Sequence, residues 1–164
     1  MKSVLSLCLI ALLFFSCSKK SDIDIPPVAD KKVKVEVDFL GDYQNYQLLF
    51  AVTTLTTSTG SFVVPEITTP TNTAWTQIIA QGNAYNYIGE PTSSKLVIES
   101  KTIAGNLAFT LSATQVHNTD DSAQIPVTAV VKVYAAGMLL ETFNYTAKPV
   151  GQVTDPLVKS IKIN

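Results

Sequence analysis

A chain of 164 residues has room for one domain of ordinary size plus extensions. With 46% hydrophobic and 15% charged residues it has the composition of a packed globule, which excludes a chain disordered throughout. The formal net charge is −1 and all twelve basic residues are Lys, so a basic field and the bidentate Arg contacts that read phosphate or guanine are both missing, and no nucleic-acid partner is expected.

The first predicted element is an export signal. Lys2 supplies a positive end, and Val4 to Phe15, VLSLCLIALLFF, is an uncharged apolar run. At ~1.5 Å per residue a helix of that length falls short of a ~30 Å hydrocarbon core. Residues 1–16 therefore read as a cleavable signal peptide rather than a membrane span. The residues that follow the run, FFSC from Phe14 to Cys17, resemble the lipobox of bacterial lipoproteins. Ser16 fits the small position, while Phe14 and Phe15 are closer to the looser boxes of Bacteroidota. The resemblance implies cleavage before Cys17, a thioether-linked diacylglycerol and an acylated amine. It also implies sorting to the outer membrane, because Ser18 replaces the Asp that retains lipoproteins at the inner membrane. Both the periplasmic and the surface-facing leaflet are compatible with it.

Physical chemistry runs the same way. Acyl chains stabilise anchoring by ~0.8 kcal/mol per buried CH₂. Cys8 leaves with the signal, so Cys17 is the only cysteine of the mature chain and no intramolecular disulfide can form. The competing reading is an ordinary thiol behind a simple secretory signal, a liability in an oxidising compartment. Residues 17–32, with SKKSDIDIPPVADKK after the cysteine, are polar, charged and broken by Pro26-Pro27. They cannot bury enough apolar surface to fold alone and read as a flexible tether.

Residues 33–164 read as the folded domain. Val33, Val35, Val37 and Phe39 alternate with Lys34, Glu36 and Asp38, which predicts a strand with one wet face. After a turn at GDYQ, Tyr46, Leu48, Phe50 and Val52 line one face of the next strand. A short strand is predicted over Ser61–Val64 and a loop over PEITTPTNT, where Pro65 and Pro70 remove ladder donors. Trp75–Ala80 and Ala84–Ile88 form two short strands around the turn QGN, and Leu96–Ser100 forms another. Asn106–Val116 alternates well, and HNTDDSAQ closes a hairpin loop to Ile125–Ala135. Ile125–Ala135 and Met138–Ala147 form a second hairpin across Ala136-Gly137, and Leu157–Ile163 is a last strand. Eight or nine strands without a helical period predict an all-β, antiparallel two-sheet β-sandwich, immunoglobulin-like or transthyretin-like.

Catalytic chemistry is sparse. The one histidine, His117, lies in a polar loop without a GxSxG elbow, so no nucleophilic triad is expected. Zinc needs several His or Cys ligands, and the folded domain offers one His and no Cys. Asp120 and Asp121 lack EF-hand spacing and read as turn residues that cap their own backbone. Neither a metal nor another cofactor is expected, and an enzyme is not. Asp121-Ser122-Ala123 resembles the short O-glycosylation motif of Bacteroidota, which makes Ser122 a candidate acceptor. Trp75, Tyr85 and Tyr87, beside Gln81, Asn83 and Asn86, are candidate glycan-stacking residues; core or sheet-face packing is the other reading. The expected function is a non-catalytic, lipid-anchored envelope module that binds a glycan or an envelope protein. The alternative is a structural or assembly accessory subunit of an outer-membrane complex.

Overall fold

The computed structural model of the protein describes residues 29–71, 73, 75–78, 84–116, 125–148 and 154–163. Ten strands build it: β1 (Val33–Leu40), β2 (Tyr46–Leu55), β3 (Pro65–Thr69), β4 (Thr76–Ile78), β5 (Ala84–Gly89), β6 (Lys95–Ser100), β7 (Asn106–Gln115), β8 (Thr128–Ala135), β9 (Met138–Thr146) and β10 (Leu157–Lys162). They form two five-stranded antiparallel sheets, ordered β3-β6-β1-β8-β9 and β10-β7-β2-β5-β4. The architecture is the expected β-sandwich. The first two strands lie in different sheets, so the order is not that of immunoglobulin constant domains, where they share one.

Period-two alternation explains why the sheets stack. Val33, Val35, Val37 and Phe39 of β1 and Ala129, Val131, Val133 and Ala135 of β8 are buried in register. They face Tyr46, Leu48, Phe50 and Val52 of β2 and Leu107, Phe109, Leu111 and Ala113 of β7. Burial of rows this continuous removes apolar surface at ~25 cal/mol per Å² and fixes the register, because a one-residue slip exposes the whole row. The Ala136-Gly137 turn has positive φ at both residues, 49° and 81°, which matches the twist of a two-residue hairpin.

Three expectations are corrected. PEITTPTNT is not all loop: Pro65–Thr69 is strand β3, and Ser61–Val64 contributes only an isolated bridge from Phe62 to Leu55. The prolines are tolerated because β3 is an edge strand, with Pro65 as its first residue and Pro70 just beyond its last. Nor do β7 and β8 form a hairpin; they belong to opposite sheets.

The domain also begins earlier than the alternation suggests. Lys31 exchanges backbone bonds of 3.0 and 2.8 Å with Ala104, and the Asp30 carboxylate accepts the Thr57 N–H at 3.1 and 3.2 Å. Gly105 makes this possible, since a Cβ there would run into Thr57 Oγ1 and Asp30 Oδ1.

The sheets are stitched together near the edge of the second one. β10 pairs with β7 only as far as Leu111, and the N–H of Ala113 beyond it donates instead to the Tyr145 hydroxyl of β9 at 2.8 Å. Removing that oxygen leaves a buried amide without its acceptor. Tyr145→Phe is expected to lower unfolding free energy by about 1–3 kcal/mol, read from the urea midpoint at unchanged slope.

Candidate functional site

The strand directions give the sandwich two unlike ends. At one, the basal end, the chain enters at Lys31, the turns after β2, β6 and β8 close, and Ile163 bonds to the Gly105 carbonyl at 2.9 Å. At the other, the distal end, lie the turns after β1 and β5 and the described ends of β3, β7 and β9. Backbone bonds hold part of this end: Asp42 donates to Ile125 O at 3.2 Å, and its carboxylate accepts the Ile125 N–H at 2.8 Å.

A shallow cleft, open to solvent, lies at the distal end. Phe39, Leu48 and Leu96 form its apolar floor, and Pro70, Pro91, Thr92 and Ser93 its rim. Tyr87 forms one wall. Its ring lies over Gly89, where a Cβ would come within 3.3 Å of the hydroxyl, and the hydroxyl donates to the Glu90 carbonyl at 3.3 Å. Burial raises the Tyr87 phenol above its ordinary pKa, so it is a neutral donor near pH 7. The enclosed space of the cleft is about that of one water molecule, so the apolar floor and hydroxyl-bearing rim form an open surface groove and not a deep pocket.

The predicted stacking residues are brought together only in part. Tyr85 and Tyr87 lie on the inner row of β5, opposite Val52 and Phe50 of β2. Trp75 packs on the core with its ring 6.2 Å from that of Phe50. Tyr87 and Trp75 thus brace Phe50, and Tyr87 alone of the three lines the cleft. Asn86 pairs with Ala51 and Thr76 on the outer face. Trp75 Nε1 and Asn86 Oδ1 are buried without a hydrogen-bond partner among the described residues. Cys17, Gln81, Asn83, His117, Asp120, Asp121 and Ser122 lie outside the described residues.

The outer faces of the two sheets differ sharply in charge. On the first, Glu36 accepts from Lys34 at 2.7 Å, Lys95 at 3.3 Å and the Tyr134 hydroxyl at 3.4 Å, while Lys132 and Lys95 approach Asp38 at 3.2 and 3.7 Å. The Lys34 ammonium lies 4.3 Å above the Tyr134 ring. Alternation put these acids on a wet face; the cross-strand register that neutralises them was not in the sequence pattern. The hydrogen bond from Lys34 holds the Glu36 carboxyl below its ordinary value of 4.5; desolvation opposes this and the bond from Lys95 assists. A depressed folded pKa stabilises above the unfolded value and is lost as pH falls through the folded one. Glu36→Gln is therefore expected to flatten the loss of stability between about pH 5 and pH 3, measured by urea midpoints across that range.

No group of three or more His, Cys, Asp or Glu able to hold a metal ion occurs among the described residues. No described helix is long and apolar enough to cross a membrane.

No protein-family model matches the sequence, and no curated protein matches it. Solved structures share its architecture. The calcium-bound form of a protein from Parabacteroides distasonis, solved by NMR, superposes with a TM-score of 0.52 at 18% identity, over 86% of this chain and 99% of that one. A domain of unknown function from Bacteroides vulgatus, DUF4425, gives 0.51 at 10% identity, over 83% and 95%. Both neighbours come from Bacteroidales, and what this chain shares with them is the sandwich fold.

Proposed function

We propose that the protein is a non-catalytic, lipid-anchored binding or adhesion module of the cell envelope, held at the outer membrane through Cys17. One observation carries the reading: the chain enters the sandwich at the basal end, and the Tyr87 cleft lies at the opposite end, beside the turns after β1 and β5. Rigid sandwiches that bind partners use the loops at one end. An acylated N-terminus would turn that end outward. A glycan is the candidate ligand of the cleft, because an aromatic wall, an apolar floor and hydroxyl-bearing rim residues match the two-sided chemistry of a sugar ring.

The test must spare the core, which excludes truncating Trp75 or Tyr87. Thr92 is exposed on the rim, so Thr92→Trp fills the cleft without touching Phe50. Glycan binding by the parent chain, weakened at least about tenfold in Thr92→Trp at equal stability, supports the reading. Parent binding that the substitution leaves unchanged moves the ligand elsewhere, and no binding to any glycan removes the sugar version.

A second reading, an accessory subunit of an outer-membrane complex, is favoured by the outer face of the second sheet. There Leu49, Ala51, Ala108, Thr110, Ile88 and Val158 form an uncharged surface, with Lys162 the one charged residue among the described strand positions. Such a face is what an envelope partner would cover. A photo-crosslinker at Thr110 that captures a defined envelope protein, while one at Tyr134 does not, supports this reading.

A further inference from the structure

The basal end has a surface character of its own. Its turns carry large apolar side chains where turns are ordinarily polar. Met138 and Leu139, beside the Ala136-Gly137 turn, are 61% and 54% exposed. Ile103, between β6 and β7, is 53% exposed, and Phe62, after β2, is 40% exposed. These come from three separate connections, so no single strand's alternation explains them. Backbone bonds hold the three to one end: Ala136 to Lys32 at 2.9 Å, Lys101 to Val64 at 3.0 Å and Gly105 to Leu55 at 2.8 Å.

Lysines surround these side chains. Lys32, Lys101 and Lys162 are exposed at the same end. Asp30, the acid nearest the point where the chain enters, is engaged by the Thr57 N–H; Glu66 and Glu99 pair across β3 and β6 one residue inside the basal end, and Glu141 lies farther along β9. Apolar tips among cationic side chains are the composition of a surface that rests in the headgroup layer of an anionic bilayer. The apolar part enters ~5–10 Å and each lysine contributes electrostatically.

The tether supplies the third argument. Twelve residues lie between Cys17 and Asp30, a span of at most ~45 Å, and the chain joins the sandwich at this end. An acyl group on Cys17 would tether the chain to the bilayer from the basal end and raise the effective concentration of that end beside it. We propose that the basal end is a lipid-contacting surface, in which Phe62, Ile103, Met138 and Leu139 enter the headgroup layer and Lys32, Lys101 and Lys162 contact anionic phosphates. Contact there holds the sandwich upright, with the distal cleft facing away from the bilayer. The inference goes beyond the anchored-module reading and rests on it only for the direction of the tether.

The experiment uses the full processed chain in vesicles of phosphatidylethanolamine and phosphatidylglycerol. A single cysteine is introduced as Ile103→Cys or, at the distal rim, Thr92→Cys, and labelled with an environment-sensitive fluorophore. Iodide quenching of the label at 103 is expected to fall at least about threefold on reconstitution, with the label at 92 unaffected. Lys32→Glu, Lys101→Glu and Lys162→Glu together are expected to restore quenching at 103 while the chain stays with the vesicles. Equal quenching at both positions overturns the proposal. So does protection at 103 that persists in detergent and accompanies crosslinked dimers, because a second copy then covers the end. If mass spectrometry finds no lipid on Cys17, the anchor fails separately. Flotation of the soluble chain with the same vesicles then decides: binding weakened about tenfold or more by the three reversals sustains the lipid surface, and absence of binding overturns it.

Discussion

Phe50→Ala is expected to destabilise the domain by about 3–5 kcal/mol, a large share of the ~5–15 kcal/mol that holds a typical domain folded. Phe50 is fully buried in β2. Its ring stacks on Phe109 at 5.8 Å and meets Trp75 at 6.2 Å, and its cross-strand neighbours are Leu111 and Tyr87. Truncation removes the transfer energy of a benzyl group and opens a cavity. The surrounding β-strand backbones are tied by ladders and cannot close around it. The effect should reach the distal cleft, since Tyr87 loses the side chain it packs beside. A urea midpoint shifted by less than about 1 kcal/mol would mean that the core repacks and that Phe50 does not organise the Tyr87 wall.

Cys17→Ala is expected to move the protein from the membrane fraction to the soluble fraction after a high-salt wash. Each acyl chain of about sixteen carbons contributes on the order of 10 kcal/mol to anchoring, so two or three chains hold far more firmly than any tip contact at the basal end. High salt screens what the lysines add. The paired measurement is intact mass: the parent chain should start at Cys17 and exceed the mass of its amino acids by the lipid. A variant that fractionates like the parent would remove the anchor from the account.

Much of the fold was legible because alternation is a local property. VKVEVDFL contains both faces of β1, and the Ala136-Gly137 turn announces the β8–β9 hairpin. The β3 strand was hidden by Pro65 and Pro70, which look like breakers until the strand is known to be an edge. Strand order was not readable at all, because which strand pairs with which depends on contacts between residues far apart in sequence. The site was legible to a similar depth. Period two already separates Asn86 from Tyr85 and Tyr87. The place of Trp75 beside Phe50 depends on packing between neighbouring strands, and the Asp30–Thr57 clasp joins residues 27 positions apart.

Only β4–β5 and β8–β9 link consecutive described strands within one sheet; the other connections pass from one layer to the other. Neither layer can therefore assemble from a contiguous stretch of chain, and β1 finds both its neighbours, β6 and β8, only after most of the polypeptide is available. High contact order of this kind places folding in the millisecond-to-second range. A freshly made chain therefore stays open over that interval and gains its protection against proteases all at once.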